Sequence, residues 1–290
     1  MTEEVSRNGA IGLTMLSALL LGSQYVVVKM GVEGNNPLIL GACIMTVGVL
    51  LVLAYMAYRG TIVKDMFRHW EFWAGAAANL CVVAFLLVGL TMTTASVSGL
   101  IVGSNALFVA LFSFIIYKEG LSSRRILGLI IGFLGLVTIT TRWDLAKIEG
   151  GELIGDILVL FASISVAVVV ILSRTGLKKM SYDQWSFGLH VLMPPALFML
   201  GLVFFADQGI SAEVWPNVLF VGLLCTTLPT MLWTVAFPRL GAVTSATILM
   251  LESVFAVLLG VLVLGEPLDA FVVVGALMTF SAIFLVANGK

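Results

Sequence analysis

Across 290 residues the chain carries 15 Lys and Arg against 16 Asp and Glu, so 11% of it is charged while 60% is apolar. Mean hydropathy is +1.13. A soluble domain has about 25% charged residues, so this chain lacks the charge to cover a globular surface. A net charge of -1 and a pI near 6.1 remove any electrostatic case for nucleic acid. Cys43, Cys81 and Cys225 lie in apolar runs without CxxC or Cys/His spacing, which argues against a disulfide framework or a metal site. The composition predicts a protein whose main partner is the lipid bilayer.

A spanning helix takes about 20 mostly apolar residues. Apolar runs between charged or Gly/Pro/Asn-bearing breaks predict ten spans, near 9–32, 37–58, 70–91, 93–117, 124–142, 152–174, 184–206, 213–236, 241–264 and 269–288. The first run outlasts a signal-peptide core and has no convincing cleavage site, so it reads as a retained helix. No lipidation motif is visible. The connections are too short to fold separately, which predicts a single all-α membrane domain over 1–290.

Positive charge sets the orientation. With the N-terminus in the cytoplasm, twelve of the fifteen Lys and Arg fall inside, leaving Lys29, Arg142 and Lys147 outside. That asymmetry predicts a multi-pass protein of the cytoplasmic membrane with both termini cytoplasmic. It also checks the span count, because a missed helix would scramble every charge after it.

The chain matches itself at an offset of 147 residues. Segment 95–128 aligns with 242–275 through pairs including Ala95/Ala242, Ser98/Ser245, Phe108/Phe255, Glu119/Glu266 and Gly128/Gly275. The offset carries span 4 onto span 9 and span 5 onto span 10. Five helices is an odd number, so the halves, about 9–142 and 152–288, are expected to lie inverted in the membrane. Inverted repeats around a midplane site are a secondary-transporter architecture.

These residues resemble the drug/metabolite transporter superfamily, and within it the ten-helix EamA family. GSQYVVVKMGVEGNNPLIL is similar to that family's first helix and its exit. ASVSGLIVGSNALFVALFSFIIYKEGLSSRRILGLIIGFLGL is similar to its fourth and fifth helices, and ATILMLESVFAVLLGVLVLGEPL to its ninth. The resemblance covers nearly the whole chain and implies a metabolite transporter, with efflux as its usual direction. Where members often carry Trp before the Gly-Ser of helix 1, this chain has Leu21. Where they often carry proline in helices 4 and 9, it has Ala106 and Ser253. Pro194 and Pro195 in span 7 and Pro229 in span 8 are therefore the places predicted to bend or break.

Polar residues inside spans are costly and mark candidate sites. Glu252 stands at the centre of span 9, where it reads as a proton carrier, a partner for a cationic group, or a structural carboxyl pinning helix 9. Asn105, its repeat mate, is central in span 4. Asn79 in span 3, with Gln24 and Tyr25 in span 1, either lines a cavity or bonds helix to helix. His190, below the proline pair, is a second candidate for proton coupling. Trp233 is a candidate for stacking on substrate, whereas Trp70, Trp73, Trp185 and Trp215 near span ends read as interfacial anchors. Lys29 and Arg174 sit near opposite mouths, to snorkel, to attract anionic substrates or to act as gates. GxxxG spacings at Gly99/Gly103 and Gly128/Gly132 are explained by packing within one half, so a monomer is expected.

The expected function is secondary active transport of a small polar or amphipathic metabolite, amino-acid-like or similar. Export and proton coupling are expected, with a proton gradient in place of any cofactor. A passive facilitator or channel is the alternative, and an intramembrane enzyme a more distant one. The chain has no HExxH, no GxSxG and no paired membrane Asp, so no catalytic residue is assigned.

Overall fold

Helices start and stop where polar caps or glycines interrupt the apolar runs. The computed structural model describes residues 6–62, 64–118, 122–141, 143 and 151–288. α1 (Arg7–Val32) begins at Ser6, whose side chain accepts from the Gly9 amide. α2 (Pro37–Arg59) begins at Asn36, which accepts from the Leu38 and Ile39 amides ahead of a first-position proline. It ends on Gly60 in the left-handed region. A 3-10 turn at Lys64–Arg68 leads into α3 (Trp70–Met92). Thr94 then caps α4 (Ala95–Gly103), which continues as α5 (Asn105–Tyr117).

α6 (Ser123–Thr141) and α7 (Gly151–Gly176) follow. A Ser181–Gln184 capping box opens α8 (Tyr182–Val191), continued by α9 (Met193–Phe204). α10 (Trp215–Phe220) passes through a π-helical stretch, Val221–Thr227, into α11 (Leu228–Leu249). α12 (Leu251–Leu264) and α13 (Ala270–Asn288) complete the chain.

Eight stretches of the described residues are long and apolar enough to cross a membrane: α1, α2, α3, α4 with α5, α7, α8 with α9, Ala212–Ala242 and Thr244–Leu264. α6 and α13 carry shorter apolar stretches, Ile126–Ile139 and Ala270–Ala282. The protein is an all-α, multi-pass membrane protein. Its outer surface is apolar to match, with Leu262, Phe284 and Phe204 each more than two-thirds exposed. Gly241, at φ +74 and ψ 173, turns the chain between the last two long stretches. Only glycine adopts that conformation at low cost.

The breaks fall in more places than proline marks. The seventh span does break at Leu192, just before Pro194, and the eighth changes helical pitch just before Pro229. The fourth and ninth, which lack the expected prolines, also break, at Ser104 and Met250. Serine hydroxyls provide a physical reason for the break in the fourth, since two of them take backbone carbonyls of that span and bend its ladder. Ser104 Oγ donates to the Ile101 carbonyl at 2.6 Å, and Ser253 Oγ reaches across to the Gly99 carbonyl at 2.6 Å.

Packing follows small residues. Gly99 and Gly103 press against Ala256 and Ser253 of α12. Their GxxxG spacing therefore joins the two halves of the chain rather than packing one of them. α3 lies against α7, α1 against α11 and α12, α4 against α12, and α6 against α13. At the end of the bundle opposite the N-terminus, Asn36 Nδ2 lies 2.9 to 3.2 Å from the carbonyls of Gly201, Phe205 and Gln208. At the N-terminal end, Gln184 Nε2 donates to the Thr61 carbonyl at 3.0 Å, and Lys179 pairs with buried Glu71 at 2.6 Å. The Asn36 and Gln184 contacts bind the two ends of α2 to the α8–α9 pair, and the Lys179–Glu71 pair ties α3 to the turn before α8.

One aromatic expectation is corrected. Trp70, Trp73 and Trp215 are exposed, as interfacial anchors should be, but Trp185 is fully buried. Its ring fills the space left by Gly75 and Gly176, and Nε1 donates to Ser173 Oγ at 3.1 Å. Glycines on two facing helices make it a core residue despite its place near a span end.

Candidate functional site

A cavity of about 160 Å³ lies among α1, α2, α3, the α4–α5 junction, α7, the α8–α9 junction, the π-helical stretch, α11 and α12. A single water needs roughly 10–15 Å³, so this space suits a small organic molecule. α6 and α13 contribute nothing to its lining. Most of the wall is Val, Leu, Ile and Met, as in small-molecule sites where a few polar groups set orientation.

Gln24, Tyr25, Asn79, Asn105, His190, Trp233 and Glu252, singled out above from the sequence, all line this one cavity. The helix geometry explains why. Gly22 lets α12 lie directly on α1, for a methyl there would stand 2.7 Å from the Glu252 carbonyl. One turn further along α1, Tyr25 meets Glu252, and its hydroxyl donates to Oε1 at 3.2 Å. Both residues are buried, and Tyr25 is Glu252's one side-chain hydrogen-bond partner among the described residues. Glu252 opens α12 just after the break at Met250, and Asn105 opens α5 just after the break at Ser104.

The remaining polar groups are held in set orientations. Asn105 Nδ2 donates to the Val102 carbonyl at 2.8 Å, leaving Oδ1 buried without a partner. Asn79 Nδ2 donates to the Leu189 carbonyl at 3.0 Å. His190 Nδ1 stands 2.7 Å from the Ser186 carbonyl. A carbonyl only accepts, so the proton sits on Nδ1 and, in the neutral ring, Nε2 is an acceptor. Trp233 Nε1 donates to Ser245 Oγ at 2.7 Å, fixing the indole against the cavity.

Lys29 and Arg174 stand away from the lining. Lys29 Nζ donates to the Leu90 and Thr93 carbonyls at 2.7 and 2.9 Å, closing the end of α3. The Arg174 guanidinium lies 4.0 Å above the Tyr117 ring. Thr226 and Thr230 also line the cavity and went unremarked in the sequence, although threonines four residues apart put two hydroxyls on one helical face. Buried Asp156, which accepts from the Thr93 hydroxyl at 2.6 Å, was missed as well. Its signal was an acid early in an otherwise apolar span.

Helices that cross the membrane several times around a largely apolar cavity define a membrane protein built to hold a small solute. The sequence model of the EamA-like transporter family matches residues 8–141 and again 153–288, and the chain belongs to that family of small-molecule transporters. Two proteins of Archaeoglobus fulgidus, each called an uncharacterized transporter, are 23% and 26% identical to it. The first alignment covers 94% of this chain and 95% of the relative; the second covers 96% and 85%. The uncharacterized transporter YoaV of Bacillus subtilis is 24% identical over 92% of each. A protein of known crystal structure shares the fold, with a TM-score of 0.69 at 18% identity over 97% of this chain and 98% of that one.

Proposed function

We propose that the protein is a secondary active transporter, exporting a small polar or amphipathic metabolite by alternating access around the central cavity. In this reading its ten spans form two inverted halves, about 9–142 and 152–288, in the cytoplasmic membrane with both termini inside. The observation that carries it is the cavity itself, in which Glu252 faces Tyr25 between the halves. Two further features support the inverted arrangement. The family model fits each half separately. The packing also keeps its pattern when the halves are exchanged, since α3 on α7 then becomes α11 on α1.

Glu252 is the proposed coupling group, with His190 as a second titratable residue on the wall and Tyr25 as the hydrogen-bonded neighbour. A carboxyl that is ionised in one conformation and neutral in the other biases which conformation is populated. Lys29 and Arg174 then act at the mouths rather than on the substrate.

The experiment is solute uptake into proteoliposomes, with and without an imposed pH gradient, using a ligand found by thermal-shift screening of the purified protein. Accumulation against a concentration gradient only when the pH gradient is present is the expected result. Equilibration that ignores the pH gradient would replace the proposal with a passive facilitator.

A further inference from the structure

The cavity's polar atoms are unevenly used, and the imbalance points to a ligand class. Each of its fixed donor groups already gives one hydrogen to the protein, and only the two asparagine amides keep a second. Asn79 and Asn105 each give an amide hydrogen to a carbonyl, and His190 Nδ1 gives its own to Ser186. Trp233 donates to Ser245, Tyr25 to Glu252, and the Thr226 and Thr230 hydroxyls to carbonyls of their own helices. The fixed polar atoms left with no bond at all are acceptors. Asn105 Oδ1 is buried with no partner, and neither His190 Nε2 nor Glu252 Oε2 has a donor among the described residues. Gln24, with no hydrogen bond of its own among the described residues, can turn either end of its amide inward.

Charge points the same way. Glu252 is the lone carboxylate in the lining, and the lining holds neither Lys nor Arg. A carboxylate ligand would stand beside Glu252 with no counter-charge, at a cost the apolar wall would magnify. At the half-helix starts, the Leu107 and Ser253 amides are also taken, by the Ser104 and Met250 carbonyls. An ammonium group has three donors and a positive charge, matching the acceptors and the carboxylate together.

We propose that the cavity takes a small amphipathic primary amine, with a protonated amino group, an apolar body and no carboxylate. The ammonium is held by Glu252 and the Asn105 carbonyl oxygen, with Trp233 and the aliphatic wall around the apolar part. This rests on the transport reading of the same cavity and narrows it from amino-acid-like solutes to amines.

The test is thermal-shift titration of the purified wild-type protein with a series sharing one apolar body: isopentylamine, leucine and 4-methylpentanoate. Isopentylamine is expected to stabilise the fold saturably, with apparent affinity at least about tenfold above leucine, a step of about 1.4 kcal/mol. The acid is expected to have no effect. Leucine or 4-methylpentanoate binding as well as the amine overturns the proposal, and so does an absence of saturable amine binding. Asn105→Leu and Glu252→Gln then locate the ligand. Each is expected to weaken the amine about tenfold or more, and amine affinity unchanged in both overturns the site. Gradient-dependent uptake of an acid or amino acid would remove the amine class and leave the transporter reading standing. Amine binding without uptake in vesicles would do the reverse.

Discussion

A carboxyl held at the middle of a bilayer costs about 2.5–3.5 kcal/mol on insertion scales, so Glu252 needs a use or a partner strong enough to keep it. The one partner among the described residues is the Tyr25 hydroxyl at 3.2 Å, which leaves the second carboxylate oxygen open to a ligand or a proton. A proton taken up by Glu252 removes the negative charge that faces a cationic ligand, so binding of such a ligand is expected to weaken as the pH falls. Glu252→Gln keeps the shape but cannot titrate, so titrations of the variant should give a profile much flatter than wild type. A profile as steep as wild type, with a lowered melting temperature, would make Glu252 structural instead. Most polar residues of the cavity wall were legible in the sequence because each is a polar group in an apolar run, while Thr226 and Thr230 passed as ordinary helix threonines. Trp185 was not legible, because distance from a span end does not tell which way a ring points. Trp185→Ala should cost about 3–5 kcal/mol in a denaturation series, as large core aromatics do. Trp70→Ala, at an exposed ring, should stay within about 0.5 kcal/mol.

Elements are joined across the two halves by groups whose destinations the sequence did not reveal. The GxxxG spacing of α4 was visible, but a spacing names no partner, and the partner is α12 in the other half. The break at Ser104 was hidden for a similar reason. Serine bends a helix only when its hydroxyl finds a carbonyl of that helix, and one of the two hydroxyls that do so on α4 comes from Ser253, 154 residues away. Glu266 shows both sides of this limit. Its match to Glu119 drew attention to it, while its role depends on packing; Glu119 itself lies outside the described residues. The Glu266 carboxylate accepts from the Ala95 and Ser96 amides at 2.7 and 2.8 Å and from the Ser96 hydroxyl at 2.6 Å. It thus satisfies the start of α4 and favours the positive end of its dipole. Glu266→Ala leaves those amides without their partner and should lower stability by about 1–3 kcal/mol in chemical denaturation. A loss below about 0.3 kcal/mol would mean that water replaces the carboxylate and that the tie contributes little.

At the scale of the molecule, hydropathy located the spans well because lipid forces every backbone polar group into a helix. The eight qualifying stretches fall where apolar runs were read, and the two remaining runs hold the shorter apolar stretches of α6 and α13. How the bundle is oriented in the membrane is a separate matter, resting on the distribution of Lys and Arg rather than on packing. The helices place Lys64, in the turn before α3, and Lys178, between α7 and α8, at the N-terminal end of the bundle, both exposed. Asp207, just beyond α9, is exposed at the opposite end. With Cys43, Cys81 and Cys225 replaced, single cysteines at positions 64, 178 and 207 report the two faces independently. An impermeant thiol reagent added to intact cells should label position 207, leaving 64 and 178 to react only after the membrane is opened. Positions 64 and 178 share one face in the structure although they lie on opposite sides of the midpoint of the chain. Labelling of both from outside would reverse the orientation while keeping the fold. Labelling of one alone would mean that an odd number of crossings separates them, and the bundle described here would then be wrong.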